Sequence, residues 1–163
     1  MTGRPPTIRF VPFDAADYLA WLALAIPSYA LSHVEIGQWT PAQALQQSTQ
    51  AHASLLPEGH ATPGHTFVRL HIPGEEGDVG HLWWAETEEG GRAGAYVYGL
   101  EVEERARRRG VARAAFAELE RIARARDLFF VSLHVFGRNR AARRLYEGLG
   151  FEPTNITMRK DLR

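Results

Sequence analysis

The chain has 163 residues, of which 45% are hydrophobic, 10% aromatic and 23% charged, which fits one folded domain around one core and disfavours disordered or low-complexity classes. Lys and Arg together number 19 and Asp and Glu also number 19, so the formal net charge is zero and a generally basic nucleic-acid binder is disfavoured. There is no cysteine, hence no disulfide framework, no zinc–thiolate site and no cysteine nucleophile, and the cytoplasm is the default compartment.

Residues 1–6 read as a short tail, and residues 8–13 alternate enough for an opening strand that Pro12 places near an edge. Asp14 is the expected N-cap of a helix over 15–33, where Tyr18, Leu22, Ala25 and Tyr29 recur at helical spacing and Pro27 perturbs the run. Its most apolar stretch, 18–30, is too short to span a bilayer, follows Asp14 and Asp17, and contains Pro27, so neither a leader nor a membrane helix is expected. After a turn at Gly37, Thr40 as N-cap, Pro41 at the first helical position and Gln43 predict a second helix with a capping box, stopping by Pro57. Three strands are expected over 65–72, 79–87 and 93–102, joined by the polar turns 73–78 and 88–91 as an antiparallel meander. Within the second, Trp83 and Trp84 must face opposite ways. Val111, Ala115, Leu119 and Ile122 mark a helix over 110–126, followed by an apolar strand at 128–135, a short helix at 139–148 and terminal strand material at 151–162. No repeat or linker interrupts this order, so residues 1–163 form a single α+β domain in which a helical crossover makes at least one strand pair parallel.

Arg107, Arg108, Arg109, Gly110, Val111 and Ala112 follow a predicted strand and open a predicted helix, the setting in which backbone N–H groups hold an anion. Gly110 permits close approach of a ligand, Ala112 keeps the first turn free of bulk, and the arginines can add charge-assisted bonds. A solvated basic turn accounts for these residues equally well.

Leu100, Glu101 and Val102, followed by Arg107-x-x-Gly110-x-Ala112, resemble the acetyl-CoA signature of the GNAT superfamily of N-acetyltransferases. A second segment, with Leu133, His134 and Val135, then Asn139, Ala142, Leu145, Tyr146, Gly150 and Phe151, resembles the family's later strand–helix–strand region. The sequence departs from the family pattern at Arg108, where many members carry Gly, and at Glu104, which replaces a common Pro.

The resemblance implies a mixed, mostly antiparallel central sheet flanked by helices, with two splayed parallel strands, here 93–102 and 128–135, holding acetyl-CoA between them. Leu100 and Val102 would supply backbone contacts to the pantetheine arm, Arg107, Arg108, Arg109, Gly110, Val111 and Ala112 the pyrophosphate cradle, and Asn139, Ala142 and Tyr146 further cofactor contacts. Gly99 is consistent with a bulge or with close packing, and Asn139 also fits a plain helix N-cap. Tyr146 occupies the position of the acid that protonates departing coenzyme A; a phenol near pKa 10 and a thiol near 8.5 make that donation dependent on geometry. Glu101 is the first candidate for the base that frees the amine, with Glu86 and His134 in reserve, although an exposed strand Glu is as good a description. Acceptor contacts are expected from Tyr29, Glu35, Trp39 and His134, with core packing for Tyr29 and a hydrophobic staple for Trp39 as the competing roles.

The implied activity is transfer of the acetyl group of acetyl-CoA to an amine of a small molecule or peptide by direct attack in a ternary complex, releasing coenzyme A. The alternative is a non-catalytic acyl-CoA-binding regulatory module. Arg105, Arg107, Arg108, Arg109 and Arg113 as a nucleic-acid patch rank lower, because Glu103 and Glu104 dilute the field. Dispersed histidines argue against a metal site, the loop lacks the Lys-Ser/Thr ending of a P-loop, and no G-x-S-x-G elbow is present. No membrane partner is expected, and a homodimer would be in keeping with the family.

Overall fold

The computed structural model describes residues 5–162. Its elements are β1 (Arg9–Pro12), α1 (Ala15–Glu35), α2 (Pro41–Leu55), β2 (His65–His71), β3 (Asp78–Glu89), β4 (Arg92–Val102), α3 (Val111–Ala125), β5 (Phe130–Leu133) and α4 (Arg140–Glu147), with single 3-10 turns at Gly59–Ala61 and Glu104–Ala106. The strands lie in sequence order in one five-stranded sheet. Pairs β1/β2, β2/β3 and β3/β4 are antiparallel, as short turns require, while α3 carries the chain across so that β5 joins β4 in parallel. No helix among the described residues is long and apolar enough to cross a membrane. Of the expected tail, residues 1–4 lie outside the described residues.

Each face of the sheet has its own apolar cluster. On one face Leu70, Val79, Leu82, Trp84, Ala95 and Val97 meet Val111, Phe116 and Leu119 of α3. On the other, Phe67 and Trp83 meet Tyr18 and Trp21 of α1 and Leu55 at the end of α2. The adjacent tryptophans are thus buried on opposite sides, and the Arg126 guanidinium lies 5.3 Å from the Trp84 ring.

Asp14 and Asp17 cap α1 reciprocally, at 2.8 and 3.0 Å. Pro27 lies inside that helix, and the buried Ser48 of α2 donates to the Ile26 carbonyl beside it at 2.7 Å, joining the two helices there. At Thr40 the expected capping box does not form: the hydroxyl donates to the Gln43 side chain at 3.0 Å, leaving Pro41 and the extended Thr40 backbone to start α2.

Residues 151–162 contain no strand, contrary to the expectation from their alternation. Ile156, Met158 and Leu162 stand 76%, 90% and 88% exposed, so the alternation has no buried face to serve, and Pro153 removes a ladder donor at its start.

Candidate functional site

The site begins at a change in β4. Gly94 through Val97 pair in register with Phe130 through Leu133, but β4 runs on to Val102 while β5 stops. At the point of departure Trp83 faces Gly99 and Trp84 faces Val97, which leaves Tyr98 as an extra residue in β4. This is a bulge, and it shifts the alternation by one. Val97, Leu100 and Val102 therefore all pack toward α3, while Tyr96, Tyr98 and Glu101 share the α1/α2 side. A Cβ at Gly99 would meet nothing within 4 Å, so the bulge rather than close packing is what that glycine accompanies.

Past β4 the chain turns through Glu104–Ala106 into α3. Gly110 is the α3 N-cap at φ +84°, a left-handed conformation that favours glycine, and the N–H groups of Val111, Ala112 and Arg113 have no intrahelical acceptor by construction. A Cβ on Gly110 would lie 3.4 Å from Pro5, ordinary contact, so backbone conformation and not space is what glycine supplies there. Arg108 also adopts positive φ, +60°, at the position where the family commonly has Gly. The arginines differ in their engagements. Arg107 Nε donates to the Val102 carbonyl at 3.0 Å, and Arg109 pairs with Glu75 of the β2–β3 turn. Among the described residues the Arg108 side chain makes neither a hydrogen bond nor an ion pair.

Asn139 caps α4, its Oδ1 accepting from the Ala142 N–H at 3.1 Å, which leaves the side-chain NH2 as donor. Tyr146, on the same helix, packs edge-on against Phe116 and Phe151 with centroids 5.7 and 5.8 Å away, and burial pushes its phenol pKa up. It is therefore protonated near neutral pH.

On the α1/α2 side a cavity of about 490 Å³ opens where β4 leaves β5, lined by Tyr29, His52, Trp83, Tyr96, Tyr98 and His134 among others. Trp83 and Tyr98 stack at 4.4 Å, with Tyr96 edge-on to Tyr98 at 4.7 Å. Tyr29 meets His33 at 4.3 Å, and Trp39 stacks behind His33 at 4.1 Å, outside the cavity lining. Glu35 is likewise not in the lining; it accepts from Arg138 Nη2 at 2.6 Å, tying the end of α1 to the loop after β5.

Glu101 lies opposite His81 in register, with Oε2 3.8 Å from the imidazole Nε2. Desolvation lowers the His81 pKa, and the Glu101 charge partly opposes that shift. Glu86 is held by Arg126 at 3.1 Å, and Arg126 reaches over Trp84, on the face away from the cavity. His81, Tyr96 and Tyr98 escaped the reading of the sequence. Only the cross-strand register brings His81 to Glu101, and Tyr96 and Tyr98, which ordinary alternation puts on one face, find Trp83 through the same register.

A parallel strand pair that opens beside a helix N-terminus, behind an antiparallel meander, is the layout of an acyl-CoA-dependent acetyltransferase fold. The chain belongs to the Acetyltransferase (GNAT) family, whose model matches residues 32–151. It is 35% identical over 156 residues to the uncharacterized N-acetyltransferase YycN of Bacillus subtilis, covering 96% of this chain and 99% of that protein. It is 30% identical over 147 residues to the uncharacterized N-acetyltransferase YdgE of the same organism, with 90% and 92% covered. The crystal structure of YycN superposes with a TM-score of 0.88, again over 96% and 99% of the two chains. An aminoglycoside acetyltransferase from an uncultured soil metagenomic sample shares the fold alone, with TM-score 0.57 at 19% identity over 96% and 99% of the chains.

Proposed function

We propose that this chain is an acetyl-CoA-dependent N-acetyltransferase acting on an amine. The observation that carries the reading is the break at Tyr98: β4 leaves its parallel partner and then leads into a helix start with no side-chain cap among the described residues. Those features suit the cofactor's two parts. Beyond Val97 β4 has no β5 partner, so residues 98–101 offer backbone groups to an amide-bearing arm, the Val102 carbonyl being taken by Arg107, and Gly110, Val111 and Ala112 offer N–H groups to a pyrophosphate, aided by the α3 dipole. Arg108 adds a guanidinium that has no partner among the described residues, while Arg107 and Arg109 brace the loop from Val102 and Glu75. Asn139, whose Oδ1 is taken by the α4 cap, keeps its NH2 group as a donor.

Bound acetyl-CoA supplies an activated acetyl thioester, so that amine plus thioester gives amide plus thiol. Tyr146 holds a proton on Oη for the thiol product, and the family's use of that position supports the assignment. Near neutral pH His81 is an uncharged imidazole beside the Glu101 carboxylate, a pair outside the cavity lining that can take the surplus proton of the acceptor amine through water. No covalent adduct of the enzyme is needed, in keeping with a chain that has no cysteine.

Calorimetric titration with acetyl-CoA, coupled to thiol release over a panel of amines, tests the proposal. One site per chain and amine-dependent thiol release are expected, and Gly110→Glu should abolish cofactor binding in a folded protein by placing bulk and negative charge at the helix start. Binding without thiol release from any amine would instead identify a cofactor-sensing module. Retained affinity in folded Gly110→Glu would refute the placement of the pyrophosphate.

A further inference from the structure

The cavity beside the strand break carries a preference of its own. Its walls are rings: Trp83 and Tyr98 lie in near-parallel contact at 14°, Tyr96 meets Tyr98 at 71°, and Tyr29 closes the α1 side, 5.5 Å from His52 and perpendicular to it. None of the lining residues is a carboxylate. Glu35, the acid at the nearby end of α1, is already neutralised by Arg138, whose guanidinium lies 5.8 Å from the Phe136 ring of the lining.

This arrangement discriminates among amines by charge count. A polyamine or amino sugar entering the cavity would bring several ammonium groups and find no fixed anion for them, and desolvating an uncompensated charge is costly. A single ammonium is a different case. Ring faces attract one cation, and the same faces stack on or edge-pack an aromatic body. The hydrogen-bond groups of the cavity, from Gln38, His33, His52, His134 and the Tyr29, Tyr96 and Tyr98 hydroxyls, include no anion, and His52 Nδ1 is already engaged with the Ser48 carbonyl at 2.9 Å. A volume of about 490 Å³ accommodates a ring of one or two cycles with a short side chain, within the ordinary range for small-molecule sites.

We propose that the acceptor is a monoamine carried on an aromatic body, with its ring against the exposed rings of Tyr98 and Tyr29, Trp83 being buried behind Tyr98, and its amine directed toward the strand break. The inference rests on the acetyltransferase reading for its chemistry, and on the cavity alone for its selectivity.

The test measures binding separately from turnover. Calorimetry on the whole chain, with and without acetyl-CoA, compares 2-phenylethylamine and tryptamine with spermidine and kanamycin; thiol release is followed with the same four amines. The aromatic amines should bind roughly tenfold or more tighter than the polycations, the scale of one desolvated cation–π contact. Tyr98→Ala, at a side chain 40% exposed and so tolerant of truncation, should raise both Kd and KM for the aromatic amines by about tenfold, whereas Tyr98→Phe should stay within about twofold. Equal or tighter binding of spermidine or kanamycin overturns the inference and leaves acetyl transfer standing. Failure of the aromatic amines to bind at millimolar concentration also overturns it. The expected binding preference without thiol release from any of the four upholds the cavity's selectivity and overturns the transfer reading instead.

Discussion

Gly80→Ala is the most informative single change outside the cavity, because its cost follows from one distance. Gly80 pairs with Val102 at the end of β4, at φ +155°, and a Cβ there would sit 2.1 Å from the Glu101 carbonyl oxygen and 3.0 Å from Val102 Cα. Ordinary contact between heavy atoms lies near 3.5 Å, so β3 and β4 would have to part by about 1.4 Å. Overpacking of this kind costs roughly 1–3 kcal/mol, and the Glu103 N–H bond to the Val79 carbonyl, at 2.9 Å, would lose about 1 kcal/mol more if it broke. A total near 2–4 kcal/mol corresponds to a drop in Tm of roughly 5–15 °C for a chain of this size. Thermal and urea unfolding followed by circular dichroism would measure it. Gly74→Ala is the control, since Gly74 has positive φ but nothing within 4 Å of its Cβ position, so only backbone strain of about 1 kcal/mol applies. If Gly80→Ala melted together with Gly74→Ala, close strand approach would not be what selects glycine at position 80. Acetyl-CoA affinity should weaken in the Gly80 variant too, because Arg107 braces the cradle from the Val102 carbonyl.

Tyr146→Phe keeps the ring contacts with Phe116 and Phe151, so stability should hold while turnover falls roughly 100-fold or more at unchanged acetyl-CoA affinity, as steady-state kinetics beside calorimetry would show. A variant as fast as the parent would remove Tyr146 from the chemistry. Arg108→Gly relieves a left-handed arginine, and against the added freedom of the unfolded chain it should stabilise by up to about 1 kcal/mol in urea unfolding. Stability should also fall as pH drops through about 6.5, because burial lowers the His65 and His81 pKa values in the folded state. The unfolded chain then binds more protons than the folded one in that window, so acid favours unfolding, and His81→Gln should flatten this part of a Tm-against-pH profile. The carboxylates with lowered pKa values, Asp14, Glu75 and Glu118, lose their contribution only at more acid pH, below about 4.

Much of the fold was legible because its signals are local. Asp14 caps α1, Pro41 starts α2, and the apolar spacing from Val111 to Ile122 marks α3; each depends on neighbours within one or two turns. The opposite burial of Trp83 and Trp84 follows from strand geometry alone. The terminal segment misled for the complementary reason: Ile156, Met158 and Leu162 alternate, but alternation makes a strand only where a partner and a buried face exist. In the site, Gly110 and Asn139 could be placed at helix starts from spacing, whereas the links of Glu35 to Arg138 and of Arg109 to Glu75 join segments far apart in the chain. His81 belongs with Glu101 through a pairing that no local pattern encodes.

The extra residue at Tyr98 also bears on how such a protein can diversify. By offsetting the alternation once, it keeps Leu100 and Val102 on the α3 side with Val97, while Tyr96 and Tyr98 stay together at the cavity, so core packing and cavity lining along one strand fall on separate side chains. Exchanges at 96 and 98 would reshape what enters the cavity while leaving the α3 core in place, and loss of the extra residue would restore a regular ladder in which Gly99 through Val102 keep their partners on β3. The wall of the cavity is thus open to stepwise revision that the α3 core does not register.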